Sequence, residues 1–136
     1  MENRNNETDI ATLKKQAQNK FIDMVQAKYQ FGEISKNFYK TLIKYNIKDA
    51  KNVKVKEEEI KTVIEKAEHL LKQADEKKAE YDIFYSQYLS LVVDEYGFCK
   101  NERNQLKEDI SQMHSYFKKF LKCAKKFEIE QEMGEE

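Results

Sequence analysis

Apolar residues recur along this chain at helical spacing in three stretches, divided by one polar connector and one glycine-marked turn. The first reads Ile10, Leu13, Ala17, Phe21, Met24, Val25 and Ala27, and resumes beyond Gly32 as Ile34, Phe38, Leu42, Ile43 and Tyr45. Steps of three and four put these residues on one side of a helix. Asn6 or Thr8 can cap it, with Glu7 and Asp9 favourable near its positive end. Gly32 is either a break between two helices or a residue inside one long helix, at about 1 kcal/mol relative to alanine. The pattern does not choose between the two. Residues 1–8 are polar and predicted to be flexible, and 9–46 form the N-terminal helical segment.

Residues 47–55 lose the period and read as a connector. A second helix is predicted from about 56 to 97 on the heptad Ile60, Val63, Ala67, Leu70, Ala74, Tyr81, Phe84, Tyr88 and Leu91, which Lys77 interrupts. About 40 residues at 1.5 Å each give a rod of roughly 60 Å. Gly97 takes the left-handed position after that helix, and Asn101 caps a final one. The last heptad is Leu106, Ile110, Met113, Phe117, Phe120, Ala124 and Phe127. A turn at 97–100 sets Leu106 near Leu91, Ile110 near Tyr88, Met113 near Phe84, Phe117 near Tyr81 and Ala124 near Ala74. The hairpin then covers 56–131, with an acidic tail at 132–136. The predicted fold class is all-α: an antiparallel helical bundle of three or four helices with a long C-terminal coiled-coil-like helical hairpin.

Residues 81–98, YDIFYSQYLSLVVDEYGF, hold six aromatic side chains. Tyr81, Phe84, Tyr88 and Leu91 make the hairpin seam. Tyr85, Leu89, Val92 and Tyr96 make a second stripe, offset along the same predicted helix. One neighbouring helix cannot cover so wide an apolar arc. The second stripe therefore meets either the chain's own first segment or a partner protein, and its four residues are the candidate partner-binding face. Tyrosine suits such a face, since it offers a large apolar area and a polar tip.

Composition narrows the class. Proline is absent and glycine occurs three times, so a turn-rich β architecture is excluded. Charged residues are 37% of the chain, which suits long helices with solvated faces. Net charge is zero, so electrostatic targeting must come from local patches. Two cysteines, Cys99 and Cys123, form no CxxC and read as reduced thiols. No apolar leader follows the opening residues, Glu2 does not suit myristoylation, and no stretch reaches about 18 apolar residues. An intracellular, cytoplasmic protein without a membrane span is expected.

No catalytic, cofactor-binding or metal-ligating residue is selected. His69 and His114 fall off the heptad seams and lack ligand partners at useful spacing, and no nucleotide or hydrolase motif occurs. Lysine is better organised. Lys36, Lys40, Lys44 and Lys48 repeat every four residues, and Lys118, Lys119, Lys122, Lys125 and Lys126 form a second group. Either is a solvated helix face or a polyanion-binding patch. Arginine, the usual base reader, occurs only at Arg4 and Arg103, which weighs against sequence-specific nucleic-acid binding. Residues 115–129 resemble a basic amphipathic target helix, but their aromatics also close the seam, and core is the preferred reading. The expected function is a non-catalytic structural, adaptor or accessory subunit that docks by helix packing onto other protein subunits, with self-association left open. The alternative is a nucleic-acid-associated accessory subunit acting through the lysine rows.

Overall fold

The computed structural model describes the backbone of residues 2–44 and 57–134, and the side chains of 9–44 and 58–125. Over those residues the chain is all-helical, with three helices packed together: α1 (Glu2–Ile43), α2 (Glu57–Leu89) and α3 (Phe98–Gly134). The connector at 47–55 and Lys48 lie outside the described residues. Arg103 and His114 of α3 meet Asp82 and Asp75 of α2, so α3 runs back along α2. Lys28 and Phe38 of α1 meet Glu102 and Phe117 of α3, so α1 and α3 run in the same direction.

α1 is one continuous helix from residue 2, through the stretch read as flexible and through Gly32. Ala17, Met24, Phe31 and Phe38 follow one another at steps of seven and are all buried, with Ala27 and Leu42 beside them. That apolar seam outweighs the modest loss from one glycine. At about 63 Å, α1 rather than α2 is the longest rod, and it packs on α2 more extensively than α3 does. α3 likewise continues to Gly134, past the predicted start of an acidic tail.

The predicted rod to residue 97 is corrected. α2 ends at Leu89, and the connection is residues 90–97 rather than 97–100. Two effects end it early. Val92 and Val93 are β-branched and lose rotamer freedom in a helix, and Asp94 does better outside one. The Asp94 carboxylate accepts from the backbone N–H of Cys99 (3.4 Å) and of Lys100 (3.0 Å), satisfying the open start of α3. The Gly97 N–H donates to the Asp94 carbonyl at 3.1 Å, closing a turn with aspartate first and glycine fourth. Gly97 is left-handed, at φ 65°, but it precedes α3 instead of closing α2. Asn101 is inside α3, its N–H bonded to the Gly97 carbonyl at 2.9 Å, and Asp94 replaces it as the cap.

The longer connection moves the register. Met113 was to sit by Phe84, whereas its neighbour His114 reaches Asp75, more than two helical turns away. The predicted pairings of Leu106, Ile110, Phe117 and Ala124 shift with it. The apolar seams survive this shift because both repeat every seven residues. Leu106, Ile110, Met113, Phe120 and Ala124 are buried, as are Ile60, Val63, Ala67, Ala74 and Tyr81.

Gly32 and Gly97 should respond oppositely to one substitution. A Cβ at Gly32 meets nothing within 4 Å and its backbone is helical, so Gly32→Ala should raise stability by about 0.5–1 kcal/mol. Gly97 has equal room but a left-handed backbone, so Gly97→Ala should lower stability by roughly 1 kcal/mol. Reversible urea unfolding measures both; equal signs would contradict the assignment.

Candidate partner-binding surfaces

Two regions at opposite ends of the helices offer surface for a partner. At one end, Phe21 of α1 meets Tyr88 of α2 (ring centroids 6.1 Å apart), one residue before α2 stops. Helix α1 continues outward beyond that point with no neighbour of comparable length among the described residues. Every described side chain from 9 to 16 is exposed, Ile10 and Leu13 included. These two extend the buried seam of Ala17, Met24 and Phe31 beyond the helix that covers it. Ile22, Val25 and Tyr29 are exposed further along α1, Tyr29 to 69%. A groove of about 440 Å³ runs between Ala17, Gln18, Phe21 and Ile22 on one side and Tyr88 on the other. Val93 (83% exposed), Tyr96 (89%) and Phe98 (57%) add apolar surface in and beside the connection.

The predicted second stripe does not remain one helix face. Tyr85 is buried, with the Arg103 guanidinium 5.5 Å from its ring centre. Leu89 is exposed at the last turn of α2. Val92 (half-buried) and Tyr96 lie in the connection, off the helix. Tyr85 therefore belongs to the core, while Leu89 and Tyr96 belong to the exposed end. The exposed side of α1 escaped sequence reasoning because periodicity marks apolar positions without measuring how long their neighbours are.

The core beneath this end holds several phenols. Tyr81 donates a hydrogen bond of 3.1 Å to the Cys99 carbonyl, tying α2 to the start of α3. Burial, with the Cys99 thiol and Asp94 nearby, pushes the Tyr81 phenol far above its ordinary 10.0. Burial likewise raises Tyr85 and Tyr88, and raises the Cys99 thiol above 9.0. These groups release protons more readily in the unfolded chain than in the native one. The stability this gives is complete below about pH 9 and declines as pH rises through 10 and above. Tyr81→Phe should cost roughly 0.5–1.5 kcal/mol at pH 7, for the lost hydrogen bond, and should make the alkaline decline shallower. Urea unfolding at pH 7, 9 and 10.5 tests this, and an identical decline in the variant would refute it.

At the other end, two aromatic contacts bring α1 and α3 together. Phe38 meets Phe117 (6.2 Å) and Tyr39 meets Tyr116 (5.4 Å, edge-on), so the end of α1 lies beside the second half of α3. Lys36, Lys40 and Lys44 are exposed on one helix end, and Lys118, Lys119, Lys122 and Lys125 on the other. Lys44 sits in the turn just past α1, and the side chain of Lys126 is outside the described residues. None of the seven exposed lysines forms an ion pair with another described residue. Elsewhere Lys28 pairs with Glu102, Lys77 with Glu80 and Lys78 with Asp82.

His114 lies against Asp75 at 2.9 Å and His69 against Gln73 at 3.1 Å, both exposed. Among the described residues no group of three or more His, Cys, Asp or Glu side chains could hold a metal ion, and no helix is long and apolar enough to cross a membrane. Comparison of the chain with protein-family models, with curated proteins and with solved structures found no match.

Proposed function

We propose that this chain is a non-catalytic structural or adaptor subunit that docks by helix packing into a larger protein assembly. In this reading the three helices form an antiparallel bundle, with α2 and α3 as its coiled-coil-like hairpin and the free part of α1 as the docking element. One observation carries the proposal. The apolar seam of α1 continues past the end of α2, leaving Ile10 and Leu13 exposed on a helix whose seam from Ala17 to Leu42 is buried. Exposed apolar patches larger than a few hundred Å² are uncommon on proteins that work alone. A partner helix would remove this surface from water at about 25 cal/mol per Å² of apolar area.

Charge placed on that face separates docking from folding. Ile10→Glu with Leu13→Glu should leave helicity and melting temperature unchanged, because both side chains are already largely in solvent. The tagged wild-type chain, purified from its native cell, should come with stoichiometric protein subunits that the double variant loses. A variant that folds normally and recovers the same subunits would end the proposal.

A further inference from the structure

Helix α1 carries a second row of residues at regular spacing, on a side that α2 does not cover. We infer that this row is the contact surface of a symmetric, antiparallel dimer, in which α1 of one copy crosses α1 of another at Gly32.

The row starts at Ile22 and runs through Val25, Tyr29 and Gly32 to Lys36, Tyr39 and Ile43, at alternating steps of three and four. That spacing keeps it on one face of a helix for about 32 Å. It lies roughly a third of a turn round α1 from the buried seam of Met24, Phe31 and Phe38, and no described helix covers its first half. Ile22, Val25, Tyr29 and Ile43 are exposed, and a Cβ at Gly32 would meet nothing within 4 Å. Tyr39 is half-buried, against Tyr116 of α3. Lys36 is the one charge in the row. A solvated helix face is ordinarily polar, and apolar residues at this period are what one helix offers another.

The occupant follows from the order of the residues. A two-fold axis at Gly32 sets Ile22 opposite the second copy's Ile43, Val25 opposite its Tyr39, Tyr29 opposite its Lys36, and Gly32 opposite its own counterpart. A two-fold contact has to be self-complementary in this way. Large apolar side chains meet large apolar side chains, and two glycines at the crossing let the backbones approach closely. The single cation comes to a tyrosine ring, a favourable contact that the symmetry makes twice. Parallel pairing would instead set Lys36 against the second copy's Lys36, a like-charge contact. A helix of unrelated sequence would account for the row but not for its symmetry. A strip one helix wide and about 32 Å long removes less than the roughly 800 Å² per partner of a standard interface, so the dimer belongs to the weak, concentration-dependent class.

Sedimentation equilibrium of the full chain, from about 5 to 300 μM, tests the inference. The wild type should pass from monomer to dimer with a Kd on the order of 10–100 μM. Val25→Glu with Tyr29→Glu should weaken association at least tenfold. Lys36→Glu should weaken it about fivefold or more, because the cation–ring contact is lost twice. Both changes replace exposed side chains, so circular dichroism at about 5 μM should show wild-type melting. Gly32→Ala should weaken association about fivefold or more while stabilising the single chain, a split that a purely structural glycine would not give. Disulfide trapping reads the orientation on a Cys123→Ser background, in which the remaining Cys99 is buried. A mixture of Ile22→Cys and Ile43→Cys chains should cross-link into a mixed dimer. Neither should cross-link alone, since its two thiols would lie about 32 Å apart. A chain still monomeric at 300 μM, or a dimer indifferent to Val25→Glu with Tyr29→Glu and to Lys36→Glu, would overturn the surface. Self cross-linking of each single variant without the mixed dimer would overturn the antiparallel arrangement. A dimer lost on Ile10→Glu with Leu13→Glu, but kept on Val25→Glu with Tyr29→Glu, would overturn the assignment to this face.

Discussion

Replacing Phe38 by alanine should lower stability by roughly 3–5 kcal/mol, the largest loss expected from any single truncation in this chain. Phe38 is fully buried on α1 where all three helices contribute to the core. Its ring meets Tyr39 edge-on at 5.3 Å and Phe117 at 6.2 Å. Alanine there would remove the apolar area and leave a cavity between long helices that cannot close without shifting their seams. Phe117 is the informative control. The sequence places it at the centre of the hairpin seam, but it is only half-buried, so Phe117→Ala should cost clearly less than Phe38→Ala. Reversible urea unfolding of the two variants gives the comparison. A larger loss at Phe117 would move the centre of the core from α1 to the α2–α3 contact.

Tyr85→Glu should be comparably damaging, at about 3 kcal/mol or more, while Tyr96→Glu should be close to neutral. Sequence spacing puts these tyrosines on one stripe; the fold separates them. Tyr85 is 6% exposed, and its nearest cation, Arg103, is already engaged with Asp82 at 3.1 Å. A carboxylate there would be desolvated with no free partner. Tyr96 is in solvent, and a charge there displaces nothing. Thermal melts followed by circular dichroism should show a large drop for the first and no change for the second. Equal melting temperatures would mean that Tyr85 is not in the core.

The contrast shows what the pattern of residues could and could not carry. Apolar positions at steps of seven identified Met24, Phe38, Ala67, Ala74, Leu106, Met113 and Ala124, because burying a face requires that period whatever the neighbour is. The neighbour and the register are set elsewhere. Register in a helical hairpin follows from where the turn closes, and here four residues, Asp94 to Gly97, decide it. Their aspartate-first, glycine-fourth arrangement was a readable turn signal, masked by aromatic spacing that favoured a longer α2. The predominance of the α1–α2 contact was less legible. Nothing in the spacing of Ala17, Met24, Phe31 and Phe38 says which of two other amphipathic helices they will meet. The lysine rows were visible as rows, and their described members lie on exposed helix faces.

The docking reading turns on one element, the part of α1 that no other described helix covers. Hydrogen exchange of its backbone amides, in the isolated chain and in the assembly recovered from its native cell, tests it most directly. In the isolated chain, amides of residues 10–17 should exchange much faster than those of 24–38, because few packed contacts hold them closed. In the assembly the same amides should slow by about tenfold or more, while those of 24–38 change little. Equal exchange of residues 10–17 in both states would show that no partner covers this helix, and would contradict the account.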